Sequence, residues 1–179
     1  MAERKKPAVF FDRDGTIMRD ADYCTDPKDV EVFPFVTESL RRLKAHGYTL
    51  IVVTNQSGIG RGYFTWEQYR AVHAELLRQI GDTLIDATYV CPDPPGVNSK
   101  CRKPAPEMVL QSARDHHLDL SRSTLVGDKE TDVHCAHNAG IKAIRVRTGF
   151  DTNTTGSSAD WIAEDCAEAT EIILTKAAG

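Results

Sequence analysis

Long hydrophobic runs are missing from the sequence. It contains no window of about 18 uninterrupted apolar residues, so we expect no transmembrane helix. The opening stretch, MAERKKPAVFF, has basic residues but only a short apolar run before Asp12, unlike a secretory signal peptide. We therefore expect a cytoplasmic protein without a membrane partner.

An excess of positive charge is also missing. The chain has 22 Lys and Arg residues against 26 Asp and Glu residues, a net charge of −4, and no basic stripe. Nucleic-acid-binding surfaces rely on clustered Lys and Arg. The balance therefore argues against a nucleic-acid partner, and equally against a binder of membrane surfaces.

Cysteines are few and irregularly spaced. The five stand at positions 24, 91, 101, 135 and 166. An odd number without a secretion signal argues against a disulfide framework, so we expect most of them to be free thiols. The 179 residues, with 41% hydrophobic and 27% charged residues, suit one globular domain spanning residues 1–179.

Short apolar runs alternate with amphipathic stretches along the chain. The apolar runs predict five strands, at 8–11, 49–55, 86–92, 123–128 and 142–149. The amphipathic stretches predict helices at 36–47, 65–81, 105–117, 131–140 and 168–177, and the polar stretch 151–160 predicts a surface loop. Such alternation is typical of βαβ units. We predict an α/β fold, a doubly wound, Rossmann-like parallel sheet with helices on both faces.

Polar side chains follow three of the predicted strands. Asp12 follows the first strand, Thr54 and Asn55 end the second, and Asp128 ends the fourth. In an open parallel sheet, ligands bind beyond the carboxyl ends of the strands. We expect these side chains to converge on one edge of the sheet.

The chemistry at that edge favours phosphoryl transfer. Asp12, Asp14 and Asp128 would repel one another without a cation, and Mg²⁺ prefers such hard oxygen ligands. Lys103 and Lys129 can offset the charge of a phosphate and keep a carboxylate ionised. A carboxylate nucleophile, an acid/base, a metal and a cation are the components of transfer through an aspartyl-phosphate.

Four motifs occur in the order found in the haloacid dehalogenase superfamily of phosphatases. DRDGT (12–16), VVTNQSG (52–58), CRKPAP (101–106) and VGDKETD (126–132) resemble that superfamily's motifs, and they span most of the chain.

The resemblance implies a role for each matching residue. Asp12 would be the nucleophile, and Asp14 would protonate the leaving oxygen and then activate water. The expected Mg²⁺ ligands are Asp12, the backbone carbonyl of Asp14, and Asp128. The candidate substrate-binding residues include Thr54, Asn55, Lys103 and Lys129, of which Thr54 and Lys103 would hold phosphoryl oxygens. Lys129 and Asp132 would tune the site.

The loops resemble a narrower branch, the capless D,D-heptose 1,7-bisphosphate phosphatases and histidinol-phosphate phosphatase domains. Neither the segment between residues 16 and 54 nor that between 55 and 103 is long enough for a large cap domain. We therefore expect substrate selection by the short loops 19–25, 56–64 and 92–102. The resemblance implies a small sugar phosphate as the substrate and a monomeric protein.

One loop departs from that branch. Relatives carry a zinc site of the form Cys-x-His followed by Cys-x-Cys before the CRKP motif. Here Cys91 and Cys101 match the first and last ligands, but Asp93 and Ser99 replace the other two. Structural zinc sites use four ligands, mostly thiolate and imidazole. We expect no structural zinc.

Several assignments stay open. Arg102 either binds a second phosphate or carboxylate of the substrate or lies on the surface, and Arg61 is similarly undecided. Arg19, Asp20 and Tyr23 follow the first motif, where a capless enzyme would contact its substrate. The competing functions are a histidinol-phosphate or other small-ester phosphatase, a phosphoacceptor signalling module without turnover, and an inactive binding protein. Asp14 favours turnover over the last two, because a module without turnover needs no acid/base there.

Overall fold

A computed structural model describes residues 5–176 of the chain. Six strands form one sheet: β1 (Ala8–Phe11), β2 (Thr49–Asn55), β3 (Ala87–Cys91), β4 (Thr124–Gly127), β5 (Lys142–Val146) and β6 (Trp161–Ala163). All pair in parallel, in the order β3-β2-β1-β4-β5-β6. The predicted doubly wound parallel fold is confirmed.

Helices cover both faces of the sheet. They are α1 (Val36–Ala45), a short α2 (Ser57–Gly60), α3 (Trp66–Ile80), α4 (Glu107–Asp115), α5 (Glu130–Asn138) and α6 (Cys166–Thr175). One apolar core joins a sheet face to α1, α3 and α6, and a second joins the other face to α4 and α5. Parallel strands buried on both faces explain why the strand sequences are continuously apolar.

The local signals place most elements within two or three residues. Helix α3 begins after Thr65, whose side chain accepts from the Gln68 backbone N–H while the Gln68 side chain accepts from that of Thr65, a capping box. The chain leaves the sheet after Val146, three residues before the predicted end of β5. Ala177, at the end of the helix predicted for 168–177, lies outside the described residues.

Two elements were not predicted. The strand β6 has only three residues and follows the polar loop 151–160, so it offers almost no alternating pattern. Helix α2 is one turn within the glycine-rich segment after β2. The segments between β1 and β2 and between β2 and β3 contain no inserted domain, as expected for a capless fold. Among residues 5–176, no helix has both the length and the apolar character required to cross a bilayer.

Candidate active site

The sheet order creates a crevice at the end of β1. The chain runs outward in opposite directions from β1, because β2 lies on one side and β4 on the other. Such a switch point is where doubly wound sheets bind ligands. Asp12 follows β1 and is fixed there by its backbone N–H, which donates to the Val126 carbonyl at 2.9 Å.

Three buried aspartates meet at this crevice. Carboxylate oxygens of Asp12, Asp128 and Asp132 all lie within 4.8 Å of one another. The convergence of Asp12 and Asp128 matches the prediction from the strand ends. Asp132, expected only to tune the site, is a full member of the cluster because the first turn of α5 lies directly after Asp128.

Lys103 lies among these carboxylates. Its Nζ donates to Asp12 Oδ1 at 2.6 Å and to the Val53 carbonyl at 2.9 Å. Nζ is also 2.6 Å from Oδ1 of Asp132. The contact between Lys103 and Asp132 is an ion pair rather than a well-aligned hydrogen bond, because Asp132 Oδ1 has no hydrogen-bond partner of normal angle among the described residues. One buried cation thus bridges two carboxylates.

Asn55 positions Lys103. The Asn55 Oδ1 accepts from the Lys103 backbone N–H at 3.0 Å, and its Nδ2 donates to the Lys103 carbonyl at 3.2 Å. Both ends of the amide are therefore used by the protein, although Asn55 also lines the cavity. The structure gives this residue a positioning role that the sequence interpretation, which placed it among the substrate-binding residues, did not foresee.

Burial dominates the ionisation of the cluster. It raises the pKa of Asp12 to about 6, although the Lys103 charge opposes the rise. Burial, followed by the negative charge of Asp12, raises the pKa of Asp128 to about 8. For Lys103, burial acts to lower the pKa, but the charges of Asp12 and Asp132 outweigh it and raise the pKa. The carboxylates repel one another although Lys103 is protonated, and a further cation would reduce that repulsion.

Asp14 stands apart from the cluster. Its carboxylate accepts from Arg13 Nε at 2.9 Å, from Arg13 Nη2 at 3.0 Å and from Gln56 Nε2 at 2.8 Å. Burial alone would raise the pKa of Asp14, but Arg13 and these hydrogen bonds hold it below its ordinary value. Gln56 Nε2 also donates to the hydroxyl of Thr54, which is buried and not among the residues lining the cavity.

Backbone surrounds the carboxylate of Asp128. A Cβ added at Gly149 would lie 2.1 Å from Asp128 Oδ2, and one added at Gly15 would lie 2.6 Å from it. Gly15 also has a φ of +83°, a conformation that favours glycine. On the other side, Arg145 Nε donates to the Asp128 carbonyl at 3.0 Å. The position of Asp128 is fixed by glycines and by a buried arginine.

The residues fit a magnesium ion. Asp128 Oδ1 is buried without a hydrogen-bond partner among the described residues. It belongs to a cluster of carboxylate oxygens that Lys103 only partly neutralises. Such an unsatisfied hard oxygen, beside two further carboxylates and an open cavity, suits a cation that keeps several waters.

Magnesium is expected to stabilise the protein more at pH 8 than at pH 6. In the metal-free protein the raised pKa values of Asp12 and Asp128 mean that the folded state binds more protons than the unfolded state between about pH 4 and pH 8. The free energy of unfolding contributed by these groups therefore falls as the pH rises, and Mg²⁺ must displace fewer protons at pH 8.

The measurement is the melting temperature with and without Mg²⁺ at both pH values. One Mg²⁺ concentration is used at both pH values. At about 100 times the Kd for pH 8 it adds ~2.7 kcal/mol there, roughly 5–10 °C for a chain of this size, and we expect a smaller shift at pH 6. Asp128→Asn serves as the control and should abolish the shift. An equal shift at the two pH values would contradict this account of the cluster.

A cavity of about 360 Å³ opens beside the cluster. Of the predicted site residues, those that line it are Asp12, Asp14, Asp20, Tyr23, Asn55, Arg102, Lys103, Lys129 and Asp132. Lys129 Nζ lies 3.4 Å from Asp20 Oδ2 and 3.9 Å from Asp128 Oδ2. Each of the loops 19–25, 56–64 and 92–102 contributes at least one residue to the cavity lining; their role in substrate selection stays a prediction.

The structure does not bring Arg19 to the cavity. Its Nε and Nη2 donate to the two carboxylate oxygens of Glu31 at 2.8 and 3.0 Å, and its guanidinium lies over the ring of Phe33 at 5.9 Å. These exposed contacts lie outside the cavity lining. The expectation of substrate contact is thus replaced by a surface ion pair, which sequence spacing alone did not indicate.

The loop that departs from the expected zinc site is closed covalently. Cys91 and Cys101 form a disulfide, which was not predicted. The Ser99 hydroxyl lies 3.5 Å from both sulfurs. The other three cysteines are buried free thiols, as expected: Cys24, Cys135 and Cys166. The disulfide joins the end of β3 to the residue before Arg102; the absence of structural zinc stays a prediction.

Sequence reasoning missed two residues of the site. Arg13 is 1% exposed, and Gln56 is 5% exposed, yet both contact Asp14. A signal existed for the first, since an arginine two residues after a fully apolar strand and between two aspartates is costly to bury without a partner. Gln56 lies in the motif VVTNQSG and in the loop 56–64, but neither indicates that its side chain contacts Asp14.

Comparison with known proteins supports this geometry. Residues 100–169 match the family model described as HAD-hydrolase-like. A D-glycero-D-manno-heptose-1,7-bisphosphate 7-phosphatase of Thermosynechococcus vestitus is 39% identical over 189 residues, covering 95% of this chain and 96% of that protein. The D-glycero-beta-D-manno-heptose-1,7-bisphosphate 7-phosphatase of Escherichia coli K12 is 39% identical, covering 93% of each chain.

A solved structure is similar over nearly the whole chain. The D,D-heptose 1,7-bisphosphate phosphatase of B. bronchiseptica, complexed with magnesium and phosphate, has a TM-score of 0.86 and 31% identity. The match covers 94% of this chain and 98% of that one. The family that the four motifs resemble is confirmed. The magnesium bound in the B. bronchiseptica structure is consistent with the aspartate cluster found here. This chain belongs to the heptose bisphosphate phosphatase family of haloacid dehalogenase-like hydrolases.

Proposed function

We propose that this protein removes the 7-phosphate of D-glycero-D-manno-heptose 1,7-bisphosphate through an aspartyl-phosphate, with Mg²⁺ as cofactor. The observation that carries the proposal is Asp12, 2.6 Å from the Lys103 ammonium and lining the same cavity as Asp14. The substrate is supported by the names of the relatives that match almost the full chain.

In the first half of the reaction, Asp12 attacks phosphorus. A bond forms between its carboxylate oxygen and phosphorus while the bond from phosphorus to the sugar oxygen breaks, and Asp14 gives a proton to that leaving oxygen. Lys103 favours the ionised nucleophile and offsets phosphoryl charge. The negative charge of an entering phosphate raises the proton affinity of a nearby carboxylate, which opposes the effect of Arg13 on Asp14.

In the second half, water replaces the enzyme at phosphorus. Asp14 accepts a proton from the water, the water oxygen bonds to phosphorus, and Asp12 leaves as a carboxylate with inorganic phosphate as the product. Asp12, the backbone carbonyl of Asp14, and Asp128 would hold Mg²⁺, with Asp132 beside them. When bound, the ion offsets the negative charge on the phosphoryl oxygens.

The outer part of the cavity suits the rest of a phosphorylated sugar. Arg102 and Lys129 supply positive charge, and burial together with the nearby charge of Arg61 lowers the pKa of Arg102. An anion bound there would relieve that repulsion. Tyr23 lines the cavity and lies edge-on to Tyr63, with ring centroids 5.1 Å apart. These groups support Arg102 as a contact for the second phosphate.

Replacing Arg102 by methionine is expected to lower kcat/KM for the heptose bisphosphate by about 10- to 100-fold. A hydrogen bond to a charged group contributes roughly 1.5–3 kcal/mol, and p-nitrophenyl phosphate, which lacks a second phosphate, should lose less than about 3-fold. Arg19→Met is the matched control, because Arg19 pairs with Glu31 outside the cavity. Equal losses on both substrates would contradict a second-phosphate contact.

The test of the function is phosphate release with Mg²⁺ from both anomers of the heptose bisphosphate, beside histidinol phosphate and p-nitrophenyl phosphate. We expect the heptose bisphosphate to lead by at least about 100-fold in kcat/KM, with ³¹P NMR showing loss of the 7-phosphate. Another ester in the lead would overturn the substrate. Release of one dephosphorylated sugar per protein, with the phosphoryl group retained on the protein and no free phosphate, would favour a phosphoacceptor module instead.

A further inference from the structure

Arg13 is a buried arginine that lines the active-site cavity. It stands between the proposed nucleophile and the proposed acid/base and is 1% exposed. Its Nε donates to Asp14 Oδ2 at 2.9 Å and its Nη2 to Asp14 Oδ1 at 3.0 Å. This two-bond geometry fixes both the position and the plane of the carboxylate.

Gln56 completes the contact from a second element. Its Nε2 donates to Asp14 Oδ2 at 2.8 Å, and its Oε1 accepts from Arg13 Nη2 at 3.3 Å. The same Nε2 is 2.9 Å from the Thr54 hydroxyl, at the end of β2. The Gln56 amide is therefore held by the strand end while it holds both members of the Asp14–Arg13 pair.

Helix α3 supports Arg13 from behind. The guanidinium carbon lies 5.2 Å from the centroid of the Tyr69 ring. That ring stacks on the imidazole of His73 at 5.7 Å, and His73 Nε2 is 3.0 Å from the Thr88 hydroxyl on β3. The Tyr69 ring therefore helps to hold the guanidinium of Arg13 in place, since a cation over an aromatic ring is attracted to that position.

The carboxylate of Asp14 could bind either the metal ion or the side chains of Arg13 and Gln56. Three other carboxylates form a cluster that fits Mg²⁺, and a free Asp14 side chain two residues from Asp12 would be drawn to the same cation. Asp14 is absent from that cluster. The hydrogen bonds from Arg13 and Gln56 keep its carboxylate apart, where it still lines the cavity.

From this geometry we infer that Arg13 and Gln56 are positioning residues, which hold the carboxylate of Asp14 out of the metal site and at the leaving oxygen of the substrate. The inference rests on the proposed function, in which Asp14 transfers protons. Arg13, the residue between the two aspartates, thus acts through Asp14. The stacked rings of Tyr69 and His73 act through Arg13, because they hold its guanidinium in place.

The experiment compares Arg13→Met, Gln56→Met and Asp14→Asn, alone and as pairs with Asp14→Asn. Turnover of the heptose bisphosphate is expected to fall about 100- to 10,000-fold in Asp14→Asn, the range that general acid–base catalysis contributes, and by about 10-fold or more, but no further than in Asp14→Asn, in Arg13→Met and Gln56→Met. In the Asp14→Asn background, Arg13→Met and Gln56→Met should each change turnover by less than about 3-fold, because the group they hold is already lost.

A burst assay separates positioning from general damage. p-Nitrophenolate leaves without needing a proton, so rapid mixing with p-nitrophenyl phosphate should still release about one p-nitrophenol per protein in all these variants, while steady turnover falls. Arg70→Met is the matched control. Arg70 lies over the Trp66 ring on the exposed side of α3, so its replacement should leave every rate unchanged.

The outcomes separate the two proposals. Losses that multiply in the double variants, or a burst that falls as much as turnover does, would overturn the positioning role. Because Arg13→Met leaves Asp14 buried without its cation, Gln56→Met, which removes no charge, decides between the outcomes if Arg13→Met does not fold. A wild-type protein inactive on every ester would instead overturn the proposed function and this inference with it.

Discussion

Phosphate release is expected to fall by at least about 10,000-fold when Asp12 is replaced by asparagine. Removal of a catalytic nucleophile typically costs this much or more, because an amide does not attack phosphorus and binding alone gives only residual catalysis. The substitution keeps the shape of the side chain, which is 6% exposed and makes its shortest contact with Lys103.

The measurement is phosphate release by Asp12→Asn under the conditions of the substrate panel, with the melting temperature recorded beside it. Burial already raises the pKa of Asp12, so loss of its charge should leave the metal-free protein as stable as the wild type or more so. We expect the variant to lose phosphatase activity while its melting temperature does not fall. A variant that keeps more than about 1% of activity would exclude Asp12 as the nucleophile.

Replacing Lys103 by methionine is expected to destabilise the protein by about 3–5 kcal/mol, the usual cost of breaking a buried ion pair. Lys103 is 3% exposed, and its ammonium is 2.6 Å from carboxylate oxygens of both Asp12 and Asp132. Its removal leaves two buried carboxylates facing each other and takes the Lys103 donor away from the Val53 carbonyl. We expect activity to fall with it, since no cation then holds Asp12 ionised.

Urea or thermal unfolding without Mg²⁺ measures the effect, roughly 6–20 °C in melting temperature for a chain of this size. Lys28→Met removes an exposed pair with Asp26 and is the matched control, because exposed ion pairs contribute little to stability; its melting temperature should stay close to that of the wild type. Adding Asp132→Asn to Lys103→Met should recover part of the lost stability. A melting temperature of Lys103→Met within about 2 °C of the wild type would refute the role of Lys103 in balancing the cluster.

The sequence predicted the parts of the site that depend on local pattern. A continuous apolar run predicts a buried strand, and a polar residue directly after it predicts a position at the sheet edge. For Asp12 and Asp128 this reasoning brings two residues far apart in the chain into one cluster, because neighbouring parallel strands end at the same edge. The capping box at Thr65 was equally readable, since both partners lie within one turn of each other.

The remaining features depend on packing between distant segments. Asn55 orients Lys103 across 48 residues, and Arg13 finds its aromatic support on α3, far along the chain. Arg19 is engaged by Glu31, which competes with any substrate for the guanidinium. Local pattern says nothing about which of several nearby charges a flexible side chain will choose. Long-range contacts decided each of these cases.

The glycines beside Asp128 have a consequence for recognising enzymes of this kind. Any side chain at Gly149 would occupy space already filled by the Asp128 carboxylate, and Gly15 leaves no room either. A chain that kept all the aspartates and the lysine but acquired alanine at these two positions would carry every reactive group and still misplace one of them. The absence of a side chain at these two glycines is therefore as much a signature of the activity as the charged residues are. A search based on acids and bases alone would overlook it.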